Sequence, residues 1–149
     1  MTTIEEVKKE LGAYLQEKAL LKEKENALDE LITRATKITT ELSDMPKGTS
    51  EIQDRMAEYA SMIADMKNEK YSQIIKMYKT KKEIEDKIDT LEQPYKNILY
   101  FKYIKGLNLT QVANEINYEY EYTKRLHGTA LIKYQNTPKV TETHPKNMF

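Results

Sequence analysis

Apolar residues recur at alternating spacings of three and four along the first forty residues, which predicts a helix with one apolar seam. Thr3 and Glu6 have the spacing of a reciprocal cap at its start. Polar residues interrupt the seam at Lys18, Glu25 and Thr39, and we interpret them as local exposure rather than as partners that set a register. The seam comprises Ile4, Val7, Leu11, Tyr14, Leu21, Leu28, Ile32, Ala35 and Leu42.

The segment 43–50 contains a Pro, a Gly and several capping residues, so we expect the chain to turn there. The seam then resumes as Ile52, Met56, Tyr59, Ile63 and Met66 and, after a phase slip, as Ile74, Met77, Ile84, Ile88 and Leu91. Residues 1–92 are therefore predicted to form an antiparallel coiled-coil hairpin of two helices, each roughly 60 Å long. One seam per helix leaves apolar surface uncovered, so we expect a homo-oligomer or docking on another protein. Whether the hairpin closes within one chain or exchanges helices stays open.

A second module is predicted over residues 93–135, because Pro94 favours the start of a new helix. Its first helix should end at Gly106 in a left-handed C-cap, and Asn108 with Gln111 should cap a short second helix. Asn117 can take the positive φ of a turn before a third helix from about Tyr120 to Tyr134. The expected inward residues are Ile98, Leu99, Ile104, Leu109, Val112, Ala113, Ile116, Leu126, Ala130 and Leu131.

These elements predict an all-α protein: a long antiparallel coiled-coil hairpin followed by a small three-helix domain with helix-turn-helix spacing. Residues 136–149 have two Pro and little apolar content, which is typical of a disordered tail. The chain has no apolar run long enough for a membrane span and no signal-peptide pattern at its start, so we expect an intracellular protein.

Charge separates the two modules although the 149 residues carry 24 Lys+Arg and 24 Asp+Glu. Residues 1–93 hold 16 basic and 20 acidic side chains (16 − 20 = −4), and residues 94–149 hold 8 and 4 (8 − 4 = +4). Seven of the eleven Tyr lie in the second part. A basic, aromatic module is compatible with nucleic-acid binding.

Enzyme chemistry finds little support in the sequence. The chain has no Cys, which excludes disulfides, thiolate nucleophiles and cysteine-bound zinc. Phosphate-loop, hydrolase and metalloprotease motifs are absent, and the two His, His127 and His144, stand seventeen positions apart. A pairing of His127 with Glu119 or Glu121 is the remaining catalytic option, but a lone helix His is much more often a surface or partly buried residue than a base. We therefore expect no catalytic residue, metal or cofactor.

The run from Ile98 to Ala113, ILYFKYIKGLNLTQVA, resembles the start of the sigma-factor region 4-type helix-turn-helix, and the run from Lys124 to Leu131 extends the similarity. The whole chain, including the hinge LSDMPKG at 42–48, resembles a family encoded by phages and prophages of Gram-positive bacteria. Those proteins join a coiled coil to a sigma-like helix-turn-helix and are related to phage late-gene transcription regulators. The resemblance implies a DNA-binding transcription regulator in the cytoplasm of a bacterial host cell.

The sequence departs from that pattern at the predicted recognition helix. Glu119 stands where Ser is usual, Glu121 follows it, and Thr123 occupies a position where a buried Val is common. Carboxylates repel phosphate, although Glu can accept a hydrogen bond from cytosine and favours a helix N-terminus. The expected DNA contacts are Tyr120, Glu121, Lys124 and Arg125, with backbone contacts from Lys102, Lys105 and Thr110. For any single Lys or Arg, the alternative is a solvated basic face. The role of Tyr122 stays open between packing and a hydroxyl contact to phosphate.

Three functions follow in order of support. The first is a regulator that binds double-stranded DNA as an oligomer. The second is a protein-binding modulator whose hairpin docks on a host or phage partner, such as RNA polymerase or a defence nuclease. The third is a structural coiled-coil protein, which would leave the elaborate C-terminal module without a purpose.

Overall fold

A computed structural model describes residues 3–42 and 50–138, and these residues are helical in all their regular segments. The elements are α1 (Ile4–Leu42), α2 (Ser50–Ile88), α3 (Tyr95–Leu99), α4 (Leu109–Ile116) and α5 (Tyr120–Gln135). A π-helical segment, Tyr100–Ile104, continues α3 directly. The all-α prediction is confirmed for this part of the chain. Of the turn predicted over 43–50, residues 43–49 lie outside the described residues, and Ser50 begins α2. Of the tail predicted over 136–149, residues 139–149 lie outside them.

The chain divides into two compact units, and each is described by itself. One unit, here the distal unit, comprises residues 17–76. The other, the terminal unit, comprises the described residues of 1–16 and 77–149. The sequence analysis predicted a boundary between two modules at residues 92 and 93, and that boundary stays a prediction.

In the distal unit, α1 and α2 run antiparallel. Lys24 forms an ion pair with Glu69 at 3.6 Å, and the Gln73 amide donates to the Glu17 carbonyl oxygen at 3.3 Å. The side chain of Gln73 is buried. Its hydrogen bond to a backbone carbonyl of the facing helix compensates the amide for the contacts with water that it loses. The seam of α2 runs through residues 63, 66, 70 and 73 in unbroken spacings of three and four, so the predicted phase slip is wrong.

The seam of α1 also differs from its predicted path after Leu28. Ile32 and Thr39 are exposed, whereas Leu31 and Ile38 are half-buried. Each residue turns a helix by about 100°, so a change of one position moves the seam to the neighbouring face. The exposure of Thr39 agrees with its interpretation as a polar interruption of the seam, and its hydroxyl donates to the Ala35 carbonyl of its own helix at 2.9 Å.

The terminal unit contains the start of α1 and the end of α2. The Glu6 backbone N–H donates to Thr3 Oγ1 at 3.2 Å and the Thr3 N–H donates to Glu6 Oε2 at 3.3 Å, which confirms the predicted cap. The seam residues of this segment are buried as predicted: Val7, Leu11, Tyr14, Met77, Ile84 and Ile88.

The remaining helices of the terminal unit pack around a core of Ile98, Val112 and Leu126. Other predicted inward residues are buried as well: Leu99, Ile104, Ala113, Ala130 and Leu131. The π-helical segment was not predicted. It turns Tyr103 inward, because a π turn holds one residue more than an α turn and rotates the following side chains around the axis. Gly106 ends it with φ +78°, as the sequence predicted.

Candidate nucleic-acid interface

The first part of the candidate interface is the start of α4, where a local hydrogen-bond pair determines the geometry. The Gln111 backbone N–H donates to Asn108 Oδ1, and the Asn108 N–H donates to Gln111 Oε1, both at 2.9 Å. The predicted capping box is therefore confirmed. Thr110, an expected backbone contact, is the second residue of α4 and is exposed. Val112 and Ala113 point inward and hold this end of the helix against the core.

A three-residue turn joins α4 to α5. Asn117 adopts the left-handed conformation at φ +60° and ψ +41°, as predicted, and the Tyr118 N–H donates to the Ala113 carbonyl at 3.0 Å. Glu119 occupies the N-cap of α5, but its side chain makes no capping hydrogen bond. Its carbonyl accepts from both the backbone N–H and the hydroxyl of Thr123, each at 2.9 Å. Thr123 is fully buried with its hydroxyl satisfied, so it packs where a valine would.

The outward face of the first turns of α5 carries four of the residues that the sequence predicted for DNA contact. Tyr120, Glu121, Lys124 and Arg125 are all exposed. The structure thus brings these four together on one helix. Lys102 and Lys105 belong to the π-helical region instead. Each places its Nζ 5.6 Å from the centre of a tyrosine ring, Tyr103 and Tyr100 respectively.

Two further tyrosines extend this face, and sequence reasoning left one of them out. Tyr118, which was missed, and Tyr122, whose role was open between packing and phosphate contact, have ring centres 5.4 Å apart. The Arg125 guanidinium lies 5.5 Å from the Tyr122 ring. With Tyr120, these rings are 41% to 46% exposed. The sequence held one signal for this cluster, namely the recurrence of Tyr at 118, 120 and 122. These positions span the turn and the first residues of α5, where successive side chains are exposed.

A buried polar pair lies behind the exposed face. The Tyr103 hydroxyl and His127 Nε2 are 2.9 Å apart, and the two rings stack with centres at 5.8 Å. Burial, then the charges of Lys102 and Lys8, lower the pKa of His127 to about 4. Burial raises the pKa of Tyr103 to about 12. At neutral pH both side chains are uncharged, so His127 acts as a structural partner of Tyr103.

His127 was predicted as a surface or partly buried helix residue, and its partner was missed. Its spacing from Thr123, Ala130 and Leu131 was the available signal, because positions three and four apart share a helix face.

A second polar cluster connects three helices of the terminal unit. The Tyr134 hydroxyl donates to Glu10 Oε2 at 2.6 Å, and Lys87 Nζ lies 3.4 Å from the same oxygen. The Lys87 ammonium also stands 4.2 Å from the centre of the Tyr134 ring. Burial, followed by the hydrogen bond and charge of Glu10, raises the pKa of Tyr134. These contacts hold the end of α5 against α1 and α2. No local pattern in the sequence predicted them.

Among the described residues, no group of three or more His, Asp or Glu side chains is arranged to hold a metal ion. Within the same residues, none of the helices combines the length and apolarity needed to cross a membrane. The chain matches no protein-family model, no curated protein and no solved structure. The exposed face of α4 and α5 is therefore the candidate site on the strength of its own geometry.

Proposed function

We propose that the protein is a phage- or prophage-encoded transcriptional regulator that binds double-stranded DNA in the cytoplasm of a bacterial host cell. The observation that carries this proposal is the tight connection between α4 and α5. A capped short helix, a left-handed Asn117 and a second helix with an exposed polar N-terminal half are the parts of a helix-turn-helix. In this proposal α5 is the recognition helix of a sigma region 4-like domain.

The exposed side chains of α5 supply the chemistry for base and phosphate contacts. The Arg125 guanidinium can donate two hydrogen bonds to one guanine, and Glu121 can accept from the amino group of cytosine. Lys124 can neutralise a phosphate, while Tyr120 offers a hydroxyl and a ring. Thr110, Lys102 and Lys105 serve as contacts to the DNA backbone from the neighbouring elements.

Oligomerisation through the hairpin would bring two recognition helices to two half-sites. Support for it comes from apolar side chains of the distal unit that remain exposed within one chain: Leu20, Ile32, Met56 and Met62. A second copy that covers such side chains removes apolar surface from water, which favours association at roughly 25 cal/mol per Å².

The test is fluorescence anisotropy of the full-length protein with duplex tiles from its own genetic locus and with a scrambled duplex, at two salt concentrations. A regulator binds one tile at least about a thousandfold more tightly than the scrambled duplex. Replacing Lys124 and Arg125 together with Ala should abolish that preference and reduce the salt dependence of binding. Equal affinity of this double variant and the unaltered protein would contradict the proposed use of α5.

A second candidate function, a protein-binding modulator, is favoured by one observation on α2. Tyr71 and Ile75 are four residues apart on one helix face, and they are 57% and 69% exposed. Tyr and large aliphatic side chains that protrude in this way are typical of the anchors of protein interfaces. RNA polymerase or a defence nuclease would be the partner. Recovery of one stoichiometric partner from host lysate, lost in a Tyr71→Ala/Ile75→Ala variant, would support this function over DNA binding.

A further inference from the structure

A second apolar stripe runs along α2, apart from the seam through residues 63, 66, 70 and 73 that faces α1. All six of its side chains are exposed. At about 100° per residue they fall within a sector of about 60°, whose centre lies about 130° around the helix from that seam. The stripe is therefore separate from the contact between α1 and α2. It comprises Ala57, Ala60, Ala64, Tyr71, Ile75 and Tyr78.

The side chains of this stripe are ordered by size about one point. Three small residues come first, and three large ones follow. Read outward from the midpoint between residues 67 and 68, both halves continue with a spacing of four and then of three residues. Each small residue is therefore as far from the midpoint as one large residue. The resulting pairs are Ala64 with Tyr71, Ala60 with Ile75, and Ala57 with Tyr78.

This order makes the stripe complementary to itself when two copies of α2 lie antiparallel. A two-fold axis at the midpoint places every large side chain opposite an alanine, because a two-fold contact joins residue i to j and also j to i. The large side chains of one copy then fill the space beside the alanines of the other. A parallel pair would place tyrosine against tyrosine and leave gaps between the alanines. Antiparallel pairing thus covers Tyr71 and Ile75, both more than half exposed in a single chain.

Charged side chains beside the stripe favour the same orientation. Asp54 and Lys79 lie on one side of it, about 90° and 70° from its centre. In an antiparallel pair, Asp54 of one copy stands beside Lys79 of the other, with an offset of about 3 Å along the helix axis. Neither side chain forms an ion pair with any residue that the structure describes. A parallel pair would place each charge beside its own copy, and such repulsion opposes association.

We propose that this face of α2 binds the same face of a second copy of the chain, in an antiparallel dimer whose two-fold axis passes between residues 67 and 68. Asn68 lies next to that axis, where its amide can hydrogen bond to its own copy. The inference specifies the surface for the oligomerisation proposed above and does not depend on DNA binding. It assigns Tyr71 and Ile75 to self-association, whereas a protein-binding modulator would use them for a different protein.

The closing experiment is disulfide cross-linking of the full-length protein, which has no Cys of its own. The variants Asn68→Cys, Ala60→Cys and Lys76→Cys each place one thiol at an exposed position of α2. Two cysteines form a disulfide only when their Cα atoms are within about 7 Å. Of these three positions, only residue 68 meets its own copy in the antiparallel dimer, since the two copies of residue 60 are roughly 22 Å apart along the axis. Mild oxidation should therefore give a covalent dimer with Asn68→Cys alone.

A mixture of Ala60→Cys and Ile75→Cys tests the orientation directly. These two positions lie opposite each other in the antiparallel dimer, so the main product should be a disulfide between residues 60 and 75, identified by mass spectrometry of proteolytic peptides. Cross-linking of Ala60→Cys to itself would show parallel pairing and overturn the inference. Equal yields from Asn68→Cys and Lys76→Cys would show random collision, with the same consequence.

Sedimentation equilibrium provides a second measurement that needs no thiol. Ala60→Glu should halve the mass of the assembly, because a carboxylate would be buried against Ile75 of the other copy. Ala60 is exposed and Glu is a good helix former, so circular dichroism should show an unchanged helix content. Lys76→Glu, about 130° from the centre of the stripe, is the matched control and should keep the original mass. An unchanged mass in Ala60→Glu would refute this interface.

Both measurements are made without DNA, so their failure leaves the helix-turn-helix proposal standing. Conversely, a cross-linked Asn68→Cys dimer that binds no duplex from its own locus would contradict the proposed function and leave the dimer interface established.

Discussion

Buried polar side chains in the terminal unit occur with a hydrogen-bond partner. His127 contacts Tyr103, Tyr134 contacts Glu10, and the hydroxyl of Thr123 donates to a backbone carbonyl. A buried polar group without a partner costs about 1 to 3 kcal/mol, whereas a satisfied one is close to neutral. At the scale of the residue, these contacts specify which face of α5 points inward.

Replacing Tyr103 with Phe should destabilise the protein by about 1 to 2 kcal/mol, because the ring nitrogen of His127 loses its partner while the aromatic packing is kept. Urea unfolding monitored by circular dichroism measures the change as a lower midpoint with the same m-value. Tyr118→Phe is the control, since that hydroxyl is on an exposed side chain, and its midpoint should be unaltered. Equal midpoints for the two variants would contradict a structural role for the Tyr103 hydroxyl.

Protonation of His127 should couple stability to pH. Its pKa is about 4 in the folded protein and about 6.5 when unfolded, so the unfolded state binds the proton more readily. The contribution of the neutral ring is complete above pH 6.5 and is lost as the pH falls toward 4. Each pH unit between these two pKa values corresponds to about 1.4 kcal/mol, so the whole effect is about 3 kcal/mol.

Urea unfolding of the full-length protein at pH 7 and pH 4.5 measures this effect. In His127→Gln the loss of stability between these two pH values should be smaller than in the unaltered protein. A loss of the same size in both proteins would assign the pH dependence to carboxylates instead.

At the scale of the element, the ends of the helices are determined by contacts within a few residues of the chain. Asn108 and Gln111 begin α4, and Asn117 ends it through the left-handed conformation. Gly106 ends the π-helical segment in the same way, and a Cβ there would stand 3.7 Å from the side chain of Leu15. The short turn that begins at Asn117 therefore determines where α4 ends and how the chain enters α5.

Substitutions at Asn117 should separate conformational strain from hydrogen bonding. Asn117→Ala is expected to destabilise the protein by about 1 kcal/mol, because a Cβ without the local hydrogen bonding of Asn disfavours positive φ. Asn117→Gly should be neutral or slightly stabilising, since Gly adopts this conformation without strain. Thermal unfolding of both variants gives the comparison. An Asn117→Gly variant less stable than Asn117→Ala would refute the role of backbone conformation at this turn.

At the scale of the whole molecule, residues far apart in the chain meet in the terminal unit. Glu10 of α1 and Tyr134 of α5 are separated by 124 positions, and Lys87 of α2 joins them. Contacts of this kind make the folding of the last helix dependent on the first.

The coupling between Glu10 and Tyr134 can be measured with Glu10→Ala, which removes the acceptor, with Tyr134→Phe, and with the double variant. Each single change should lower the free energy of unfolding by about 1 to 2 kcal/mol, and the two effects should fail to add by at least about 0.5 kcal/mol. Urea unfolding supplies all three values. Glu83→Ala and its combination with Tyr134→Phe form a matched cycle, because Glu83 influences Tyr134 by charge without a hydrogen bond. Full additivity in the Glu10 cycle would contradict a direct contact.

The sequence by itself was enough to predict those features that depend on neighbours within about four residues. Helical class follows from the spacing of apolar residues, and the caps at Thr3, Asn108, Gly106 and Asn117 follow from backbone hydrogen bonding and φ preferences. The buried residues of α4 and α5 could be predicted for the same reason, because their spacing along the helix is a local property of the sequence. Four of the residues predicted for DNA contact, Tyr120, Glu121, Lys124 and Arg125, are exposed on α5 as expected, while their role in DNA binding stays a prediction.

Tertiary structure decided which of several adjacent faces meets a partner that is distant in the sequence. The seam position of Leu31 in place of Ile32, the burial of Gln73 and the inward turn of Tyr103 all depend on the helix packed opposite. The partners of His127 and Tyr134 lie 24 and 124 residues away, beyond the reach of any local pattern. Local interactions determine the conformation of a helix, but the free energy of burial, which selects its contact face, is known only when the opposing surface is present.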